Sequence, residues 1–255
     1  MIDPSKIPPL ILIAVLGHSM ALFWLFAARF HFKLCQNAIY AIPITKEQIN
    51  REIRNSISTP IHSVILYIFV LLNFFTNGTW GSFAISLLLA TVWAETWHYF
   101  SHRVFHVPRF HWIHVEHHKS HLSSPFTALS FSFTEKLVFN FGILAVLGIV
   151  DRLYSLNFFG IAAWYVGYLV INSFSHANFE VKSAHFQRRA GKILTSTTYH
   201  ALHHSRYSNN YGLGTRIFDR IFKTEWPDYD PLFEQIAGEG MPLTRLGERV
   251  ETSTF

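Results

Sequence analysis

The sequence predicts an all-α integral membrane protein, with four to five transmembrane helices and a cytosolic helical cap, folded as a single domain over residues 1–255. Three observations lead there. Half of the 255 residues are hydrophobic and only 15% are charged, where a soluble domain carries about 25%. Five apolar runs separated by turn signals fill most of the first 175 residues. Lysine and arginine are shared unequally between the segments that join those runs. The same composition excludes other classes. A net charge of +5 with so much apolar content is not that of a disordered chain. Cys35 is the only cysteine, so no disulfide framework exists. The basic excess shows no stripe interleaved with aromatics and no helix-turn-helix or zinc-finger spacing, so no nucleic-acid partner is expected.

The runs justify the helices one by one. Ile7 to Phe30 is long enough to cross the hydrocarbon, which needs about 20 residues. Its start is weakly charged and no small-residue cleavage site follows Phe23-Trp24-Leu25-Phe26, so it reads as a retained anchor. Ile61 to Thr76 and Trp80 to Trp97 form a hairpin turning at Asn77-Gly78. Phe126 to Val150 and Tyr154 to Ser175 form a second one turning at Asp151-Arg152. Glu135 and Lys136 interrupt the fourth run and are expected near the interface, snorkelling to water. Residues 176–255 hold no spanning stretch and should form a polar, partly helical tail. The outside segments carry Lys6 and Arg152. The inside segments carry Arg29, Lys33, Lys46, Arg51, Arg54, Arg103, Arg109, Lys119 and every basic residue from Lys182 onward. That asymmetry places the amino terminus outside and the polar segments in the cytosol.

Histidine is the other anomaly, with 16 copies. His98 and His102 are spaced i, i+4 and share one helical face. His114, His117 and His118 form an H-x-x-H-H cluster, and His200, His203 and His204 repeat it 86 residues later. A lone histidine at a membrane boundary is more often structural than a ligand, and His18, His31, His62 and His185 are read that way. His121 reads as a local hydrogen-bonding residue. His106 extends the His98/His102 face by one turn and could support the ligands from behind; it and His111 stay unassigned. The clusters are different, because buried imidazoles without partners are costly and metals are their usual shared partner. All the donors are neutral nitrogen, which suits zinc, copper, iron or nickel. Eight clustered ligands are too many for one tetrahedral ion, so the count predicts a dimetal site where apolar helices meet the cytosol. That position suits a redox metal acting on a lipid-soluble substrate.

These residues resemble the fatty acid hydroxylase/sterol desaturase superfamily of membrane histidine-box, non-haem diiron oxidases. The resemblance lies in Glu95-Thr-Trp-His98-Tyr-Phe-Ser-His102-Arg103-Val-Phe-His106, in His111-Trp-Ile-His114-Val-Glu-His117-His118, and in Tyr199-His200-Ala-Leu-His203-His204-Ser205 followed by Asn210-Tyr211-Gly212. Ile217-Phe-Asp219-Arg220-Ile-Phe-Lys-Thr224 is similar to the family's closing segment. The likeness covers about residues 80–227. It implies two iron ions, replaceable by zinc in purified protein, with O2 as co-substrate. It also implies a ligand at the end of the last membrane helix, where His176 fits. The implied set is then His98, His102, His114, His117, His118, His176, His200, His203 and His204. Asn172 stands where some members have histidine, implying a water-mediated or supporting role. Glu95 stands where aspartate is common and would orient a ligand imidazole.

The activity implied is hydroxylation of an unactivated C–H bond in a fatty acyl or sterol-like lipid, with desaturation or aldehyde processing as alternatives inside the family. Electrons would come from a separate cytochrome b5-, ferredoxin- or reductase-type donor, since no haem, flavin or iron–sulfur module is fused. The implied location is a bacterial cytoplasmic membrane or the endoplasmic reticulum. A metal transporter is the rival from another class, but its ligands should lie at mid-membrane depth rather than flanking the spans. A bis-histidine cytochrome would need pairs facing across helices instead of H-x-x-H-H runs.

Overall fold

The computed structural model describes residues 7–250, with side chains from residue 15 onward. Lys6, part of the outside charge count, lies outside the described residues. Eleven α-helices and no strand are present among the described residues. They are α1 (Ile7–Arg29), α2 (Lys46–Ser56), α3 (Ile61–Leu71), α4 (Phe83–Phe105), α5 (His111–His118), α6 (Phe133–Tyr154), α7 (Phe158–Ser175), α8 (His185–Arg188), α9 (Thr197–Arg206), α10 (Ile217–Ile221) and α11 (Tyr229–Ala237).

The five apolar runs become five helices whose contacts close a ring. α1 packs on α7, α7 on α4, α4 on α6, α6 on α3, and α3 returns to α1. Leu66, Leu144, Leu147, Ile161 and Leu169 fill the inside of this ring. Large apolar side chains such as Leu22, Phe26, Leu88, Val92, Ile149 and Ile171 point outward and stay exposed. In water a belt of that size would be an aggregation surface. Two helices, α6 and α7, are long and apolar enough to cross a membrane. At 1.5 Å per residue α3 is only about 16 Å long, half the hydrocarbon thickness. Its run ends early because Asn73 and Phe75 adopt positive φ, a conformation no helix continues through.

The turns differ from expectation for identifiable reasons. α6 starts at Phe133, not Phe126, because the Ser132 hydroxyl accepts the Glu135 N–H and caps the helix there. It continues through Asp151-Arg152 to Tyr154, and Ser155 ends it in the left-handed region. Asp151 is buried, accepting the N–H groups of Phe75 at 3.0 Å and Leu156 at 2.7 Å, so it ties the two hairpin turns together. Gly142 is required where α6 crosses α4: a Cβ there would meet the Trp97 ring at 2.1 Å.

Glu135 and Lys136 do not snorkel. Both are buried, with Lys136 Nζ donating to Asn55 O at 2.8 Å and Ser58 Oγ at 2.5 Å. Asn55 at the end of α2 and Ser58 just beyond it supply the acceptors, so the ammonium is satisfied inside. The chain after His176 is partly helical, as expected, but it is more than a polar tail. Tyr199, Leu202, Tyr229, Leu232, Phe233 and Leu243 join Ile39 and Tyr40 in a second core. α9 packs on α7 and α11 on α9, so the cap is anchored on the ring.

Candidate metal centre

Four stretches of chain deliver the histidines to one place. α4 carries His98 and His102 a turn apart, with His106 at its C-cap. α5 carries His114, His117 and His118, and α9, capped by Ser196, carries His200, His203 and His204. His176 terminates α7. Packing of α5 on α4 and of α9 on α7 brings them together.

The rings divide into two groups. His102, His106, His114, His118 and His203 offer nitrogens that lie within 4.8 Å of one another; His117, His176, His200 and His204 do the same. Eight of the nine expected ligands are therefore assembled. His106, left unassigned from the sequence, sits inside the first group. His98 belongs to neither: its Nδ1 lies 3.1 Å from the Tyr168 hydroxyl and its Nε2 is buried with no hydrogen-bond partner.

The hydrogen bonds test whether a metal fits. A carbonyl only accepts, so each Nδ1 that meets one must carry the proton and leave a lone pair on Nε2. This holds for His102 with Tyr211 O (2.8 Å), His176 with Asn172 O (2.8 Å), His203 with Asn209 O (2.7 Å) and His204 with Ser120 O (2.9 Å). The Nε2 atoms of His176 and His204 are nevertheless only 3.2 Å apart. Two lone pairs facing each other need a cation to share. The Nε2 atoms of His102, His106 and His114 are buried with no hydrogen-bond partner, which no apolar core tolerates cheaply. Burial, reinforced by neighbouring imidazoles, holds His114, His117, His118 and His200 well below the usual 6.5. His203 and His204 are lowered in the same way, and burial brings His176 to about 4. All are neutral near pH 7, the state in which imidazole binds a metal.

Three carboxylates, Glu52 and Asp219 buried and Glu95 half-buried, fix the surrounding loops. Glu95 was expected to orient an imidazole and does not: Oε2 accepts the N–H groups of Gly214 and Thr215, both at 3.1 Å. The physical reason is the loop at Gly214-Thr215, whose backbone N–H groups reach the carboxylate and take it up. Asp219 holds the same loop through the N–H groups of Tyr211 and Gly212, at 3.0 and 2.7 Å. Tyr211 then presents its carbonyl to His102. Glu52 accepts from Ser120 at 2.6 Å and Thr127 at 2.8 Å, and so steadies the carbonyl that orients His204. Sequence reasoning missed Glu52 and gave no role to Asp219, although Asp219 lies in the closing-segment likeness. Glu135 was also misplaced; its Oε1 lies 2.5 Å from His114 Nδ1. Asn172 is buried beside the site, but its amide nitrogen donates to Ala128 O at 2.6 Å, which ties α7 to the loop before α6. Of the histidines read as structural, His18 approaches Ser56 O at 3.1 Å and His62 pairs with Asn140. His111 meets the Tyr207 hydroxyl, and His31, His121 and His185 are exposed.

A cavity of about 50 Å³ adjoins the rings. His98, His102, His114, His117, His176 and His200 line it, together with Leu129, Phe131, Phe139, Trp164 and Leu169. His176 and Trp164 are 12 residues apart on the same stretch, about 18 Å along a helix axis. The arrangement joins a polar metal-binding pole to an apolar slot between α4, α6 and α7.

Comparison with known proteins agrees with this geometry. The fatty acid hydroxylase family profile matches residues 87–224. Among curated proteins, the chain is 29% identical over 160 residues to the very-long-chain aldehyde decarbonylase GL1-4 of Oryza sativa subsp. indica, covering 59% of this chain and 25% of that protein. It is 28% identical over 152 residues to GL1-6 of the same subspecies, covering 55% and 23%. It is 24% identical over 259 residues to the very-long-chain aldehyde decarbonylase CER1 of Arabidopsis thaliana, covering 93% and 40%. The chain thus spans between 23% and 40% of the length of these relatives. No solved structure matches it.

Proposed function

The chain belongs to the fatty acid hydroxylase family, and on that premise we propose that it is an O2-dependent diiron membrane oxidase that hydroxylates an unactivated C–H bond of a fatty acyl or sterol-like lipid. The observation that carries this reading is the joining of two histidine groups to an apolar slot between helices. A hydrophilic substrate would gain nothing from such walls, whereas an alkyl chain is desolvated by them. The five-histidine group and the four-histidine group would each hold one iron, with His98 facing the slot beside them. Bound iron supplies the activation of O2 that cleavage of an unactivated C–H bond requires.

The chain's own residues prepare that chemistry. The carbonyls of Tyr211, Asn172, Asn209 and Ser120 keep the protons on Nδ1 and aim the Nε2 lone pairs inward. Leu129, Phe131, Phe139, Trp164 and Leu169 exclude water and hold the chain against the rings. Four to five membrane spans, including α1 and α4 through their exposed apolar faces, would set the slot in the bilayer. The lysine and arginine asymmetry supports a cytosolic cap, where a separate cytochrome b5-, ferredoxin- or reductase-type donor would deliver electrons. A carboxy-terminal reporter read from the cytosolic side tests that placement.

The names of the relatives favour a second reading, in which the slot takes a very-long-chain aldehyde. One experiment separates the two. Lipids from cells with and without the chain are compared by mass: a gain of one oxygen supports hydroxylation, a loss of two hydrogens supports desaturation, and consumption of long-chain aldehyde supports the second reading. An unchanged lipid profile with iron-loaded, reductant-supplied protein rejects all three.

A further inference from the structure

We infer that Glu135 is a positioning residue for the metal centre: its carboxylate sets the tautomer of His114 and gives the five-histidine group an anionic support that the four-histidine group lacks. This rests on reading the histidines as a metal centre.

Sequence and structure disagree about Glu135 in an informative way. Ser132-Phe-Thr-Glu135 is a capping-box pattern, in which the glutamate would turn back to the N–H of Ser132. The first arm of the box is made, since Ser132 Oγ accepts the Glu135 N–H at 3.1 Å. The second arm is not closed. Oε1 goes instead to His114 Nδ1, and Oε2 has no hydrogen-bond partner. Helix capping therefore does not account for this carboxylate. It sits buried at the start of a helix apolar enough to cross a membrane, where an ionisable group is expensive and marks function. Lys136 does not neutralise it by contact, because its ammonium is turned onto Asn55 O and Ser58 Oγ.

His114 is thereby set apart from its neighbours. Among the rings of the two groups with a hydrogen-bonded Nδ1, those of His102, His117, His176, His203 and His204 donate to backbone carbonyls. Only His114 meets a carboxyl group, among the described residues, and the positive charge of a bound metal would hold that group ionised. The carboxylate keeps the proton on Nδ1, so the Nε2 that joins His102, His106, His118 and His203 carries a lone pair. Its negative charge also makes the ring a stronger donor, as outer carboxylates do for metal-bound histidines.

The test uses full-length, detergent-purified protein, stripped of metal and loaded with cobalt(II) alone. Cobalt per chain, the ligand-field absorption spectrum and the gain in Tm on loading are read for wild type, Glu135→Gln and Glu135→Leu. Gln keeps an acceptor for Nδ1 but removes the charge; Leu removes both. Wild type should take up two cobalt ions. Glu135→Gln should bind one of them about 10-fold more weakly and Glu135→Leu up to about 100-fold more weakly, leaving the spectrum of the four-histidine group. Two ions bound with wild-type affinity and spectrum in both variants overturn the inference. So does equal weakening of both sites, which marks a general effect on folding. Wild-type protein that takes up fewer than two ions overturns the metal-centre reading itself, and this inference with it.

Discussion

Mild acid should unfold the metal-free protein, because the fold keeps its histidines neutral. His114, His117, His118, His200, His203 and His204 lie outside the membrane-spanning helices and are held well below 6.5, first by burial and then by neighbouring imidazoles. In the unfolded chain each regains its ordinary value near 6.5. As pH falls through 6.5 the unfolded state takes up protons and the folded state does not, so stability falls with pH. Above about pH 7.5 neither state is protonated and the effect vanishes. Between pH 6.5 and 5.5 each group removes about 1 kcal/mol. Several such groups together remove a large share of a typical total stability of about 5–15 kcal/mol. The assay is thermal unfolding of metal-free protein in detergent at pH 7.5, 6.5 and 5.5. The midpoint should hold down to about pH 7, then drop steeply, while metal-loaded protein resists until protons displace the ions. A midpoint that stays flat from pH 7.5 to 5.5 refutes the picture of neutral, buried rings.

Three further outcomes follow from the contacts. Glu95→Ala strands the N–H groups of Gly214 and Thr215; it should cost about 2–4 kcal/mol and lower metal content through the loop that orients His102, and an unchanged melting curve would contradict this. His106→Ala should reduce two metal ions per chain toward one, as measured by elemental analysis, whereas His185→Ala at the exposed start of α8 should leave both; equal loss in the two variants would remove any special role for His106. Leu169→Trp fills the slot, so lipid turnover should fall at least 10-fold with metal content intact, and full turnover would show that substrate binds elsewhere.

Much of the site was legible because it is built from local spacing. Histidines at i, i+3 and i+4 on one helix face one side whatever the rest of the chain does, so the three clusters announced a shared metal site. The apolar runs likewise announced helices, since burial of a run that long leaves the backbone few other ways to satisfy its hydrogen bonds. The partition of the rings was not legible. His118 pairs with His203, and His117 with His204, across 85 and 87 residues of chain. Adjacent residues on a helix point about 100° apart, so each His-His pair must split, but only the packing of α9 against α5 and α7 decides which ring joins which group. The same holds for the charges. Glu135 reads as an interfacial charge and Glu95 as a ligand's support until the fold supplies their partners, His114 and the Gly214-Thr215 backbone. Spacing along a helix fixes which way a side chain points; what it finds there depends on segments far away in sequence, and only tertiary packing brings those to it.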